Sequence, residues 1–211
     1  MLKKESHPFN DTFGRQSISP LTKKLILGSF PPFDVVNHNN PKASFYYTSS
    51  DNIFWDLFKE VFDISFKSEP ENIIAFLREK QFGIIDIIRV CYRKNNRSSN
   101  DEDLAIIELE DIIEIIQFTD ITDIYTTSKF VSTLLKEELI PLYDWVITPG
   151  TTNGFPYEIY SSPQKYLRVF TLYSPSPNGL RGIQKGLNNT NPNIKAKEHR
   201  LNQYRSLFLI S

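Results

Sequence analysis

The sequence predicts an α/β fold: three layers, α/β/α, around a central, mostly parallel sheet of four to five strands. Three observations carry this. Short apolar runs bounded by turn signals recur along the chain. Segments of helical periodicity separate them, and this alternation is what helices packed on both faces of a sheet produce. The third observation is size: 211 residues, 40% hydrophobic and 23% charged, suffice for one full core. With no internal repeat and no linker, residues 23–211 read as a single domain. Residues 1–22, polar and carrying Pro8, Gly14 and Pro20, read as an extension.

The elements follow in order. "KKLILGSF" is a short buried strand ending at Gly28. "SSDNIFWDLFKEVF" is a helix whose Phe54, Leu57, Phe58, Val61 and Phe62 share one face, with Ser50 or Asp51 as its cap. "PENIIAFLREK" is a second helix with proline in its first turn,. "FGIIDIIRV" reads as one buried strand, "RKNNRSSND" as a loop, and "EDLAIIELEDIIEIIQ" as a long helix capped by Asp101. "ITDIYTT" is a strand and "SKFVSTLLKEEL" a helix opened by Ser128. "DWVIT" and "KYLRVFTLY" are two further strands, separated by a turn-rich stretch. "SPSPNGLRG" reads as a loop, residues 188–193 as a loose Asn-rich segment, and "KAKEHRLNQYRSLFLI" as the closing helix.

Composition narrows the function classes. A net charge of −1 provides no global field for a polyanion, so any nucleic-acid site has to be a local patch. Arg181, Lys185, Lys195, Lys197 and Arg200 form one basic group, readable as phosphate-facing or as solvated surface. No apolar run reaches the ~18 residues of a membrane span, and "MLKKESHPFNDTFGRQ" lacks the apolar core of a secretory signal. The lone Cys91 precludes an intrachain disulfide. A cytoplasmic monomer is expected. His7, His38, His199 and Cys91 lie far apart, with no zinc-ligand spacing,; neither metal nor cofactor is expected.

In a sheet of this kind ligands bind beyond the carboxyl ends of the strands. That directs attention to residues 28–52, 89–100 and 173–182. "GSFPP" has too few glycines for a phosphate loop,, but Pro31 and Pro32 make the turn rigid. One ring of Phe45, Tyr46 and Tyr47 can stack on a planar base, or the rings can staple onto Phe54 and Trp55. Asn52 is readable as a helix-start residue or as an amide that orients a water. In "LYSPSPNGLRG", Leu180 beside Arg181 suits an apolar wedge next to a phosphate-holding cation, or a leucine folded back into the core.

Taken in this order, Gly28 and Pro31 in "GSFPP", Tyr47, "DNIFW", the run "FGIIDIIRVCYR" followed by "RSSND", and "SPSPNGLR" resemble the uracil-DNA glycosylase superfamily. The likeness is nearest to the mismatch-specific uracil and hypoxanthine (deoxyinosine) branches and spans roughly residues 23–182. It implies a uracil-DNA-glycosylase-like fold and a monofunctional glycosylase that flips a deaminated or mismatched base out of DNA. Such an enzyme hydrolyses the N-glycosidic bond and leaves an abasic site. By the same resemblance Asn52 positions the catalytic water, Tyr47 stacks on the base, and Gly28, Ser29, Phe30 and Ser174 border it. Ser176, Leu180 and Arg181 meet the DNA. The chain departs from the family at Phe30, where a polar residue is usual, at Ser174, where histidine or asparagine is usual, and at "TSSDN", which replaces a His-Pro pair. The iron–sulfur cysteines are absent. Which base is excised stays open, and a non-catalytic DNA- or nucleotide-binding relative is the alternative.

Overall fold

The computed structural model describes residues 3–37, 43–67, 69–95, 98, 100–190 and 193–210. Its centre is a six-stranded sheet of order β3-β2-β6-β9-β8-β7. The strands are β2 (Lys24–Gly28), β3 (Phe82–Asp86), β6 (Asp123–Thr126), β7 (Val146–Thr152), β8 (Phe155–Ser161) and β9 (Tyr166–Thr171). The first four in the order are mutually parallel, with Leu25 beside Gly83 and Ile124 and Ile124 beside Val169. β8 and β7 extend the sheet antiparallel.

Successive side chains of each parallel strand enter different cores, as the two-residue repeat of a strand demands. Ile26, Ile84, Tyr125 and Phe170 pack with α3 (Phe54–Phe62), α4 (Pro70–Glu79) and α8 (Ala196–Phe208) on one face. Leu25, Leu27, Ile85, Ile124 and Val169 pack on the other with α5 (Ile112–Phe118) and α6 (Lys129–Leu139). These strands are buried on both sides, which is why they are continuous apolar runs. The outcome is the three-layer α/β/α fold with a mostly parallel sheet.

Several elements differ from the sequence reading. "FGIIDIIRV" is two strands: the chain bends at Ile87, whose N–H donates to the Gly28 carbonyl at 2.8 Å, and continues as β4 (Ile88–Arg93). The first half of the expected long helix is β5 (Leu104–Leu109), antiparallel to β4; strand pairing overrides its helical periodicity. Asp111 then accepts the Glu114 N–H at 2.9 Å and starts α5. The turn-rich stretch contains β8, joined to β7 at Asn153 and Gly154 with φ of 49° and 81°, the two positive values of a type I′ hairpin.

"SPSPNGLRG" opens a helix, α7 (Pro177–Thr190). Pro177 takes the first helical position, and the Ser176 hydroxyl accepts the Gly179 N–H at 3.1 Å,. The expected Asn-Gly turn is the first turn of that helix. The start of α3 is held by Asn52, whose Oδ1 accepts the Phe54 N–H at 2.9 Å, rather than by Ser50 or Asp51.

Of residues 1–22, expected as a polar extension, the stretch from 4 to 22 is built into the fold. β1 (Lys4–Ser6) pairs with β4 and completes a second sheet of order β1-β4-β5. A wide helical turn at Asn10–Gly14 and a short helix α1 (Arg15–Ser17) follow. Phe9, Asn10 and Ser17 are buried. Its polar residues divide: Lys4, Ser6, Asp11, Arg15 and Gln16 are exposed, while Glu5, His7, Asn10, Ser17 and Thr22 are buried and hydrogen-bonded.

Candidate active site

The carboxyl ends of β2, β3, β6 and β9 open onto one cleft of about 490 Å³. Its walls come from the Ser29–Val35 turn (with the short helix α2, Phe33–Val36), residues 43–52, Asn100–Glu102, Thr127–Phe130 and Ser174–Gly179. All three segments singled out from the sequence therefore contribute.

Ser29, Phe30, Tyr47, Asn52, Ser174 and Ser176 line the cleft. Asn52 is half-buried, and one lone pair of its amide oxygen is engaged by Phe54. Tyr47 adopts a positive φ of 58°. Its ring lies 4.9 Å from that of Phe54, and its hydroxyl donates to Thr127 Oγ1 at 3.2 Å. Phe30 meets the His7 ring edge-on at 5.5 Å and carries the Arg93 guanidinium over its face. The Ser174 hydroxyl donates to Ser176 Oγ at 3.0 Å, so both serines are tied to the start of α7.

Gly28, Leu180 and Arg181 are not among the lining residues. The Gly28 and Ser29 carbonyls are occupied by the Ile87 and Ile88 N–H groups at 2.8 and 3.1 Å. What approaches Gly28 is protein: a β-carbon there would lie 2.0 Å from Asp86 Oδ1 and 2.1 Å from the Tyr47 hydroxyl. Leu180 is half-buried in the first turn of α7, and the exposed Arg181 donates to Asn178 Oδ1. Of the basic group, Arg181, Lys185, Lys195 and Lys197 are exposed, but Arg200 is fully buried. Its Nη2 donates to the Ser176 carbonyl at 3.3 Å, bracing the loop from behind.

The sequence reading missed the group at the end of β3. Asp86, 4% exposed, accepts from His7 Nε2 through Oδ2 at 2.9 Å. The Phe9 and Asn10 N–H groups both point to His7 Nδ1, each at 3.1 Å. Nδ1 is thus an acceptor, which places the ring proton on Nε2. Asn10 completes the support: Oδ1 accepts from Tyr46 and from the Asp86 N–H, while Nδ2 donates to the Asp86 carbonyl and Glu110. Glu110 is paired in turn with Arg15. No spacing rule joins residues 7, 10 and 86; only β1 pairing with β4 does so.

Asp86, Asp101 and Glu102 give the cleft an acidic lining, without a lysine or arginine among its described residues. Burial raises the Asp101 carboxyl above its ordinary value, opposed by hydrogen bonds from Ser29 and Ser128 and reinforced by the charge of Asp86. Burial, and then the Asp86 charge, likewise push the Tyr46 and Tyr47 phenols well up. Both stay neutral donors. A cleft of this kind presents carboxylates to a developing positive charge and a neutral aromatic wall to a planar group. Among the described residues no group of three or more His, Cys, Asp or Glu could hold a metal ion; His38 lies outside them. No described helix is long and apolar enough to cross a membrane.

Fold and cleft together define an α/β/α domain with its candidate site at the carboxyl edge of a parallel sheet. No protein-family model and no curated protein matches the sequence. Among solved structures the chain is similar to the solution NMR structure of a "putative Uracil DNA glycosylase" from Methanosarcina acetivorans. The TM-score is 0.57 at 16% identity, over 91% of this chain and 94% of that one. At this identity the similarity establishes a shared fold.

Proposed function

We propose that the protein is a monofunctional DNA glycosylase acting on a deaminated or mismatched base, uracil or hypoxanthine. One observation carries this reading. Tyr47, Asn52 and two aspartates line one cleft at the carboxyl edge, in a fold shared with a chain described as a "putative Uracil DNA glycosylase". A target base is stacked inside its duplex, so it has to be flipped out, at a cost of a few kcal/mol that is least at a mismatch. In the cleft, Tyr47 offers its ring to the flipped base. The bond from sugar to base breaks with positive charge developing on the sugar, which the carboxylates stabilise. Asn52 orients the attacking water through the remaining lone pair of its amide oxygen. None of the described lining residues is a lysine, so none of them offers an amine for a Schiff base, and the expected product is an abasic site. Leu180 and Arg181, at the start of α7, face the DNA as wedge and phosphate contact.

The test is strand scission by alkali on labelled duplexes holding uracil, hypoxanthine or xanthine opposite each normal base. Scission with wild type that is lost in Asn52→Ala supports the reading and names the base. Intact DNA at high enzyme excess overturns it. One observation favours a second reading, a non-catalytic relative that binds DNA or a nucleotide: the Asn52 oxygen already serves the start of α3. That reading expects salt-dependent DNA binding that survives Asn52→Ala, with no product.

A further inference from the structure

We propose that Asp86 is the general base that takes the proton of the attacking water, and that His7 is its positioning residue. This rests on the glycosylase reading above. Asp86 borders the cleft, yet its Oδ1 is buried and has no hydrogen-bond partner among the described residues. A carboxylate oxygen in that state is costly and calls for a functional reason. Its other oxygen accepts from His7 Nε2, and His7 is itself held in place. Two backbone N–H groups fix its tautomer. Tyr46 stacks on the ring at 5.4 Å, and Phe9 and Phe30 meet it edge-on. A carboxylate oriented through one oxygen, with the other unpaired beside Gly28 and the lining residue Tyr47, is the arrangement in which a base is held by a third group.

Asn52 cannot fill this role. A carboxamide accepts a hydrogen bond but does not take up a proton at neutral pH, and one of its lone pairs is occupied. The division of labour is therefore that Asn52 holds the water and Asp86 deprotonates it. The water oxygen forms a bond to the sugar C1′ while the C1′–N bond breaks and its electron pair departs with the base. The water proton goes to Asp86 Oδ1, and from there through solvent to the base anion. One water is thus added across one bond.

The groups facing Asp86 are His7 from the N-terminal segment, Tyr46 and Tyr47 before α3, and Asp101 before β5. Glu110, with Arg15, is linked to the Asp86 backbone by two hydrogen bonds through Asn10. Both phenols are raised by burial, so neither contributes a change on the acid side.

The experiment is single-turnover excision across pH by wild type, Asp86→Asn, Asp86→Glu and His7→Gln. Duplex affinity and thermal unfolding are measured on each. Asp86→Asn is expected to lose about 100-fold or more in rate and to lose the acid-side fall seen in wild type, at unchanged affinity, with partial recovery in Asp86→Glu. His7→Gln is expected to be slower and to move the acid-side fall, which a merely structural role would leave in place. A folded Asp86→Asn that excises within about threefold of wild type overturns the proposal and leaves the glycosylase reading standing. If Asp86→Asn does not fold, an acid-side fall unmoved in His7→Gln overturns it instead. A wild type that excises nothing overturns both.

Discussion

Arg93 on β4 and Glu5 on β1 form an ion pair, Nε to Oε2 at 2.8 Å, with each side chain 3% exposed. The same guanidinium donates to the Ser98 and Pro31 carbonyls, each at 2.6 Å. A single side chain thus joins the first strand, the Pro31–Pro32 turn and the loop that carries Asp101. Arginine suits this place because its rigid fork serves three acceptors at once.

Breaking this pair is expected to be severe. Arg93→Met leaves the Glu5 carboxylate and the two carbonyls without their donor. The loss should be about 3–5 kcal/mol, the range for removing one partner of a buried pair. Glu5→Gln keeps an acceptor and should cost less. Urea unfolding of the two variants measures the difference; equal losses would contradict the assigned roles.

Gly28→Ala should destabilise the protein by about 1–3 kcal/mol, the usual range for overpacking. The new methyl would collide with Asp86 Oδ1 and the Tyr47 hydroxyl, so both have to move. Thermal unfolding measures the cost. The near-ultraviolet tyrosine signal should change as Tyr47 is displaced.

Asn52→Ala removes the acceptor for the Phe54 N–H and should cost about 1 kcal/mol as a lost helix-start contact. Asn52→Asp keeps an oxygen acceptor there and should unfold close to wild type. Comparing the two by chemical denaturation separates the cap from any effect on excision.

Asp101 makes the stability depend on pH in a direction fixed by its burial. Its carboxyl is raised above 3.8 in the folded state, so the folded protein binds that proton more tightly than the unfolded chain does. The associated stability is complete below the unfolded value and is lost as pH rises through the folded one. Asp101→Asn should therefore raise the unfolding midpoint at pH 7, and the gain should vanish near pH 3. A gain equal at both pH values would contradict the assignment.

The parallel strands were legible in the sequence because burial on both faces leaves them as uninterrupted apolar runs. α4 and α6 were legible from Pro70 and Ser128. β5 was not, since Ile106 and Ile107 occur in a run that satisfies helical spacing equally well, and only pairing with β4 decides. β8 carried its signal in Asn153-Gly154, and α7 in Ser176-Pro177. Both are short patterns whose turn and cap meanings compete. Within the cleft, six of the expected residues converge. The His7–Asp86 pair escaped because its partners are 79 positions apart, and a segment rich in polar residues gives no hint that its polar groups are buried.

The strand order has a kinetic consequence. β2 lies between β3 and β6, and Asn10 bonds to Glu110 across 100 positions. Neither contact forms without closing a long loop, so little native structure is gained before much of the chain is ordered. Topologies dominated by such distant pairings fold in roughly milliseconds to seconds, not microseconds. The cleft draws walls from Phe9 through Gly179, so it is complete only once that whole span is in place. α3 and α4 docked on β2 and β3 alone would hold Asn52 but lack the walls that Thr127–Phe130 and Ser174–Gly179 supply.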